Sequence, residues 1–294
     1  MTEDKQAGQE PGIQNPWRTA AGSFLASRTA VVGMSLILML LLFGAVGPVV
    51  AQHDPIKQDL LNRFLGPSSV NWLGTDHMGR DLFSRLAYGA RLSLTLSLTA
   101  VVIGVGVGVP IGIFSGFRGG AVDNVIMRLV DVMMAIPTYL LAILVASLIG
   151  RPTIMIIATA VAVSMLPGVV RMSRAETLGI KTSAMVEAAN ALGVPTGRLF
   201  FRHILPNILG PIVVLATLRM GTAILVEASL SFLGLGLSVP TPAWGLMIND
   251  GLKYIDRNSW MSILPGLAIM FTVLGFNLMG DGLRDALDPR LRGR

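Results

Sequence analysis

The chain has 294 residues, of which 52% are hydrophobic and only 14% are charged, with a formal net charge of +6 and a mean hydropathy of +0.67. Because a soluble domain carries about 25% charged residues, this composition indicates a membrane protein. The chain has no cysteine, which excludes disulfides and thiolate metal sites, and its three histidines are too far apart in sequence to suggest a metal site. The basic residues are scattered between apolar runs, so the positive charge does not indicate nucleic-acid binding.

Six apolar runs approach or exceed the roughly 20 residues that cross a bilayer, and they predict an all-α membrane protein. The predicted crossings are residues 30–50, 92–115, 132–149, 153–170, 208–226 and 260–279. The chain then divides into a cytoplasmic N-terminal tail (1–29), a first transmembrane helix (30–51), an extracytoplasmic loop with an interfacial helix (52–91), a permease-like core of five transmembrane helices (92–281) and a cytoplasmic C-terminal tail (282–294). The first 16 residues are polar and are predicted to be disordered.

The distribution of basic residues predicts the orientation of the chain. An even number of crossings places both termini on one side of the membrane. If that side is the cytoplasm, the cytoplasmic segments carry more Lys and Arg than the opposite segments, as the positive-inside rule requires. We therefore expect both termini to be cytoplasmic.

The second crossing contains a periodic glycine pattern. Glycines recur every four residues and so share one helix face: Gly104, Gly108, Gly112 and Gly116. Such a face lets two helices approach closely in lipid. Although the stretch also contains GxGxxG, it follows no strand, which excludes a dinucleotide loop and leaves a packing seam. In the segment after it, Arg128 and Asp131 are three residues apart and are predicted to pair on one helix face.

Two segments on the outer side are neither plain crossings nor plain loops. Residues 73–94, LGTDHMGRDLFSRLAYGARLSL, alternate charged and apolar residues, which is typical of a helix at the membrane interface. In residues 228–252, glycines and prolines prevent a continuous helix, namely Gly234, Gly236, Pro240 and Pro242. This second segment is a candidate lining of an outer vestibule, with a plain surface loop as the alternative.

The cytoplasmic segment 183–207, SAMVEAANALGVPTGRLFFRHILPN, is polar although long apolar runs flank it. Its apolar residues recur at helical spacing and predict a short helix with one small apolar face: Met185, Ala188, Ala189 and Leu192. Gly193 is expected to end this helix, Pro195 or Thr196 to start a second one, and Pro206 to end that. Two short helices at a bend suit a plug for a groove on another protein. An amphipathic helix lying on lipid headgroups is the alternative.

The same segment resembles a known family. Glu187-Ala188-Ala189, followed by Gly193 and then Leu205-Pro206, is similar to the EAA signature of permease subunits of ATP-binding-cassette (ABC) importers. In that family the loop is the coupling helix that docks into the ATPase subunit. The resemblance therefore implies an ATPase-coupling role for these six residues. One departure is His203, which stands where an isoleucine is usual.

Residues 73–94 also resemble the pattern GTDxxGRDxxSRLxxGxRxSL of dipeptide- and oligopeptide-type permeases, and similarity to this family extends over residues 30–292. It implies a five-helix type I importer core after one N-terminal helix, in a bacterial inner membrane. It also implies partners: a homologous permease in a heterodimer, two ABC ATPase subunits that bind ATP and magnesium, and an extracytoplasmic substrate-binding protein. No cofactor is implied in this chain. Peptides are the substrate class most often implied, with nickel, glutathione and other solutes among relatives.

The absence of catalytic and ion-coupling motifs distinguishes between classes of function. The chain lacks the GxxxxGK[ST] phosphate loop and the HExxH and GxSxG motifs, so we expect it not to be an enzyme. A self-sufficient secondary transporter or channel usually carries ion-coupling acids in mid-membrane, whereas these crossings are nearly free of acids. An importer subunit needs a segment that docks onto its ATPase, which explains the polar cytoplasmic segment. The predicted function is therefore that of an importer subunit.

Arg219 is the one basic residue inside a predicted crossing. A charge at the centre of a bilayer costs roughly 2.5–3.5 kcal/mol on insertion scales, so Arg219 is expected to face a partner or water. Either carbonyl groups or an acid of the partner permease satisfy Arg219, or it is a candidate pathway residue that meets the carboxylate of the substrate, and both readings stay open at this point.

Overall fold

The computed structural model describes residues 16–149 and 153–287, and these ranges are almost entirely helical. Their α-helices are, in chain order, α1 (Pro16–Ala26), α2 (Arg28–Val50), α3 (Leu82–Arg118), α4 (Gly120–Met134), α5 (Thr138–Ile149), α6 (Ile154–Lys181), α7 (Ala184–Ala191), α8 (Thr196–Leu199), α9 (Leu205–Phe232), α10 (Trp244–Leu252) and α11 (Trp260–Leu287). Among the described residues, only an isolated bridge between Thr75 and Asp81 has β character. The predicted all-α fold is confirmed.

Five helical stretches are long and apolar enough to cross a membrane: α2, α3, α6, the stretch Thr196–Phe232 that contains α9, and α11. They cover five of the six predicted crossings. The helices extend beyond the apolar runs, because helical geometry continues where the sequence turns amphipathic. At about 1.5 Å per residue, α3 is about 55 Å long against a hydrocarbon thickness of about 30 Å.

Several predicted boundaries fall inside helices. The boundary at residue 91 lies within α3, so residues 82–94 of the predicted interfacial helix are the first part of that long helix. Residues 73–81 are not helical, which corrects the prediction there. α1 lies inside the predicted N-terminal tail, and α11 continues to Leu287, inside the predicted C-terminal tail. The first 15 residues and residues 288–294, where a disordered start and the end of a tail were predicted, lie outside the described residues.

The third predicted crossing, 132–149, is not one straight helix. Its residues belong to α4 and α5, which meet at an angle of 94°. The break falls at residues 135–137, since Pro137 pushes the preceding residue out of the α region. With only 12 residues, α5 is about 18 Å long and too short to cross alone.

The glycine face of α3 packs against α6, as predicted. A β-carbon at Gly108 would lie 2.7 Å from the Val169 side chain, and one at Gly112 would lie 2.5 Å from the Val170 carbonyl oxygen. A β-carbon at Gly116 would meet the Arg174 carbonyl oxygen at 2.9 Å. Residue numbers rise together along both helices, so α3 and α6 run parallel, and the bent pair α4–α5 must carry the chain back across between them.

The outer segment 228–252 is built into the protein. α9 continues to Phe232, residues 233–243 are not helical, and α10 follows. The Trp244 ring is fully buried and its Nε1 donates a hydrogen bond to the Leu86 carbonyl oxygen at 3.1 Å. A β-carbon at Gly245 would lie 2.1 Å from the Ala228 carbonyl oxygen. These contacts contradict the alternative of a plain surface loop.

Candidate functional site

The segment between α6 and α9, which is predicted to be cytoplasmic, contains two short helices at a bend. α7 ends at Ala191, and Gly193 follows with a φ of +70°. A β-carbon at Gly193 would meet nothing within 4 Å, so the left-handed backbone, not lack of space, requires glycine here. α8 starts at Thr196 after Pro195, as predicted.

One side of this segment anchors it to the transmembrane helices. Val186, Ala189 and Leu199 are buried, and they pack against Phe117 at the end of α3 and Ile180 at the end of α6. These two ends are also joined directly, since the Lys181 ammonium donates a hydrogen bond to the Phe117 carbonyl oxygen at 2.7 Å. The segment is therefore positioned by the parallel pair α3–α6.

The opposite side of the segment is exposed and partly apolar. Met185 is 43% exposed and Leu192 is 83% exposed, and Glu187 and Ala188 lie between them on the surface. The predicted apolar face of four residues was therefore partly wrong, because only Ala189 points inward. The inward face is Val186 and Ala189, whereas Met185 and Ala188 of α7 and Leu192 just after it are exposed.

Proline 206 does not end the second helix, contrary to the prediction. Residues Phe200–Ile204 form a π-helical turn that leads directly into α9, where Pro206 occupies the first turn. The backbone stays helical on both sides of Pro206, and the Leu205 N–H donates a hydrogen bond to the Phe200 carbonyl oxygen across the π-helical turn. Leu205 and Pro206 consequently belong to the start of α9, whereas Glu187, Ala188 and Ala189 lie on α7.

Arg219 lies on α9 and its guanidinium rests against α6. A β-carbon at Gly168 would lie 2.3 Å from Arg219 Nη2, so this glycine leaves the space that the guanidinium occupies. Among the residues that the structure describes, Arg219 has no acid within ion-pair distance and no hydrogen-bond partner. Its side chain is partly exposed. The structural reading places the partner of Arg219 on the other permease subunit, as carbonyl groups or an acid, so it stays a prediction beside the pathway reading.

Comparison with known proteins assigns the chain to a family. The family model described as "Binding-protein-dependent transport system inner membrane component" matches residues 108–293. The chain belongs to this family of permease subunits. A second model, "N-terminal TM domain of oligopeptide transport permease C", matches residues 15–67.

Curated relatives align with the permease over nearly their whole length. The dipeptide transport system permease protein DppC of Alkalihalophilus pseudofirmus is 41% identical over 95% of this chain and 91% of its own. The oligopeptide transport system permease protein OppC of Bacillus subtilis is 40% identical over 94% and 90%. The glutathione transport system permease protein GsiD of Pectobacterium atrosepticum is 39% identical over 97% and 94%.

A solved structure shares the fold of the permease. The MetNI methionine ABC transporter, in an inward-facing conformation, matches with a TM-score of 0.58 and 19% identity, over 69% of this chain and 96% of that one. The type I importer fold is thereby confirmed. The family assignment also decides between the two functional readings: the protein is a multi-pass permease subunit of an ABC importer, and not a self-sufficient secondary transporter or channel.

The predicted pairing of Arg128 with Asp131 is wrong. Asp131 forms an ion pair with Arg171 of α6, and the two side chains are 55% and 48% exposed. A second ion pair between the same two helices is more buried: Arg174 pairs with Asp123 at 2.5 Å. Ser115 also donates a hydrogen bond to Asp123 at 2.5 Å. Spacing in the sequence can predict ion pairs only within one helix. Asp123 and Asp131 of α4 instead pair with arginines of the neighbouring helix α6.

The outer motif resembling GTDxxGRDxxSR forms a buried ion cluster in the permease. Arg80 and Asp76 pair at 2.6 Å, and Arg85 Nε lies 3.6 Å from the same carboxylate. Arg85 also donates to the carbonyl oxygens of Pro55 at 3.0 Å and Pro240 at 3.3 Å. The cluster thus ties the outer loop to α3 and to the non-helical segment before α10. No sequence signal indicated the contact with Pro240.

A buried carboxylate lies where the fifth predicted crossing was thought to end. Glu227 of α9 is 1% exposed and accepts hydrogen bonds from Ser93 of α3 at 3.1 Å and Ser231 at 2.8 Å. An acid in a transmembrane helix is expensive unless it faces protein groups. The predicted crossing ends at residue 226, one residue before Glu227. In the structure α9 continues to Phe232, and Glu227 lies inside the helix bundle.

Proposed function

We propose that this permease imports peptides and that residues 183–206 couple it to an ATPase. The observation that carries the coupling role is the two-sided character of α7. Val186 and Ala189 fix the helix to the bundle, while Met185 near its start and Leu192 just after its end are left exposed. Exposed apolar residues on a well-anchored helix favour a protein partner. The alternative of a helix lying on headgroups does not explain why the segment is packed below the ends of α3 and α6.

The proposed assembly has five subunits, this permease included. A homologous permease forms a heterodimer with it and supplies the other half of the pathway. Two ABC ATPase subunits bind ATP and magnesium, so this chain needs no cofactor of its own, and one of them receives the exposed face of α7. An extracytoplasmic binding protein delivers the substrate to the outer side. Both termini lie in the cytoplasm of a bacterium with the permease in its inner membrane.

Peptides are the proposed substrate because the relatives named for a substrate include dipeptide and oligopeptide permeases. Glutathione, named for another relative, is itself a peptide. A peptide carries a carboxylate at its C-terminus, and Arg219 is the candidate pathway residue for it. Its charge supports this role because no acid among the described residues neutralises it.

The coupling role predicts the effect of replacing Gly193. In Gly193→Val, a β-branched residue must adopt a φ of +70°, at a cost of roughly 1–2 kcal/mol, and the exposed face of α7 is expected to turn. Reconstituted complexes should then keep basal ATP hydrolysis and lose peptide uptake. The matched control is Gly197→Val on α8, where a β-carbon also meets nothing within 4 Å but φ is not positive.

Both variants must assemble with the same subunit composition as the wild type, which size-exclusion chromatography and gel analysis establish. Uptake and peptide-stimulated ATPase activity are then measured on the same preparations. Normal uptake by the Gly193→Val complex would contradict the coupling role. If both variants lose peptide uptake equally, valine anywhere in this segment disturbs coupling. That result would contradict the special role of the bend at Gly193.

A further inference from the structure

The cytoplasmic half of α6 carries a line of residues that the other helices of the described chain leave partly or fully exposed. Gly168, Arg171, Ala175 and Leu178 follow one another at a spacing of three or four and are partly or fully exposed. We call these four residues the inner strip. In the outer half of α6, most residues are buried, because α3, α5 and α9 pack around it.

Arg219 borders the inner strip on the α9 side. Its guanidinium lies against Gly168, at the outer end of the strip, where any side chain would occupy the same space. Gly168 therefore sets the position of the guanidinium by leaving room for it. In the described chain, this cation reaches over the strip without an anionic partner.

Asp131 borders the inner strip on the α4 side. It pairs with Arg171 of the strip itself, and about half of each side chain is exposed. An ion pair exposed to hydrocarbon is unfavourable, because charged groups lose their hydration there. This face of the permease is therefore suited to water or protein. By contrast, α2 exposes purely apolar side chains such as Leu41 and Leu42, as a lipid-facing helix does.

The charged groups along the inner strip differ in whether they are already paired. The Asp131 carboxylate and the Arg171 guanidinium neutralise each other, which leaves Arg219 as the cation available to a ligand among the charged groups described at the strip. An arginine offers planar paired donors that match a carboxylate. A carboxylate that moves along this face would meet Arg219 first when it comes from the outer side.

We propose that the inner strip lines the cytoplasmic half of the translocation pathway, that Arg219 binds the terminal carboxylate of a passing peptide, and that Gly168 is the positioning residue for Arg219. This inference rests on the proposed function of peptide import. It goes further by assigning a wall of the pathway, the substrate group that the wall recognises, and the residue that holds the recognising side chain in place.

The wall is tested by cysteine accessibility, since the native chain contains no cysteine. Ala175→Cys is placed in the strip and Leu42→Cys on the lipid-facing side of α2, and each complex is reconstituted in liposomes. A charged, water-soluble thiol reagent should modify Ala175→Cys, and a transported peptide should slow that modification at least severalfold. Leu42→Cys should stay unmodified. If Ala175→Cys reacts as little as Leu42→Cys, or if the peptide has no effect on its rate, the strip is not in the pathway.

The recognition step is tested by two substitutions and one control. Wild-type complex should import peptides with a free C-terminus about tenfold better than their C-terminal amides, the ratio that one charge-assisted hydrogen bond supplies. Arg219→Gln should abolish this preference. Gly168→Ala should abolish it too while Arg219 is retained, because the new methyl group displaces the guanidinium. Gly179→Ala, on the same helix with open space around it, should keep the preference.

The outcomes separate this inference from the proposed function. A complex that imports free and amidated peptides equally well in the wild type overturns the role of Arg219, and peptide import itself still stands. A wild-type complex that imports no peptide overturns the substrate class and this inference together. If Arg219→Gln fails to assemble, Gly168→Ala and the labelling of Ala175→Cys still decide. Reduced import by Gly168→Ala with an unchanged preference would show that Gly168 has a packing role only, and would overturn its role in positioning Arg219.

Discussion

His77 lies at the contact between the outer loop and the linker that follows α10. Its ring stacks on Tyr254, with centroids 4.8 Å apart and an angle of 18° between the planes. The ring atom Nδ1 is buried without a hydrogen-bond partner in the described chain. Burial lowers the pKa of His77 below its ordinary value of 6.5, Asp76 opposes this shift, and Arg80 adds to it. The folded loop therefore favours the neutral ring.

This environment predicts a loss of stability on acidification. Because the pKa of His77 is lower in the folded than in the unfolded state, its contribution is complete above the unfolded value of 6.5 and is lost as pH falls below it. The purified complex should unfold at a lower temperature at about pH 5.5 than at about pH 7.5. His77→Phe, which keeps the stack, should reduce this difference, and His53→Phe in the same loop controls for the loss of a histidine. An unchanged difference in His77→Phe would contradict the prediction.

At the scale of elements, the parallel pair α3–α6 is held together by close backbone contact along the glycine face. A β-carbon at Gly112 would lie 2.5 Å from the Val170 carbonyl oxygen and 2.7 Å from the Ser173 β-carbon. Backbone atoms cannot move aside as the end of a flexible side chain can. Gly106 of the same helix faces away, and a β-carbon there would meet nothing within 4 Å.

The seam predicts opposite outcomes for alanine at these two glycines. Gly112→Ala should force the helices apart and lower the free energy of unfolding by roughly 1–3 kcal/mol, the usual cost of overpacking. Gly106→Ala should be neutral or slightly stabilising, because alanine favours a helix more than glycine does. Thermal unfolding of the two complexes in the same detergent measures the difference. Equal unfolding temperatures would show that the seam tolerates an extra methyl group.

The features that could be predicted from the sequence are those that are determined within a single helix or turn. The glycine face of α3 and the bend at Gly193 follow from local periodicity and from the conformational freedom of glycine, and both were predicted. The break before Pro137 was missed because the apolar run continues through it, and continuity of hydropathy was taken as continuity of helix. The partner of Asp131 was missed for another reason: it depends on which helix lies beside α4, and no local pattern contains that information. Coupling and pathway roles stay predictions.

At the scale of the whole molecule, the direction of α3 and α6 determines how often the chain crosses. Both helices end on the same side, where Lys181 contacts the Phe117 carbonyl oxygen. The bent pair α4–α5 must return the chain between them, which makes it the sixth crossing although neither part crosses alone. On the opposite side, Asn258 donates a hydrogen bond to the Thr75 carbonyl oxygen at 3.4 Å, which places the outer loop and the segment before α11 together.

This arrangement predicts the labelling of four single cysteines in cells that express the whole transporter. Leu61→Cys in the outer loop and Asp256→Cys before α11 are exposed and should react with a membrane-impermeant maleimide in intact cells. Leu25→Cys on α1 and Ala121→Cys at the start of α4 should react only after permeabilisation. Ala121 and Asp256 are separated by α4–α5, α6 and α9, so they lie on opposite sides only if the bent pair crosses the membrane. Labelling of both from one side would contradict the crossing by α4–α5 and, with it, the parallel arrangement of α3 and α6 as two spanning helices.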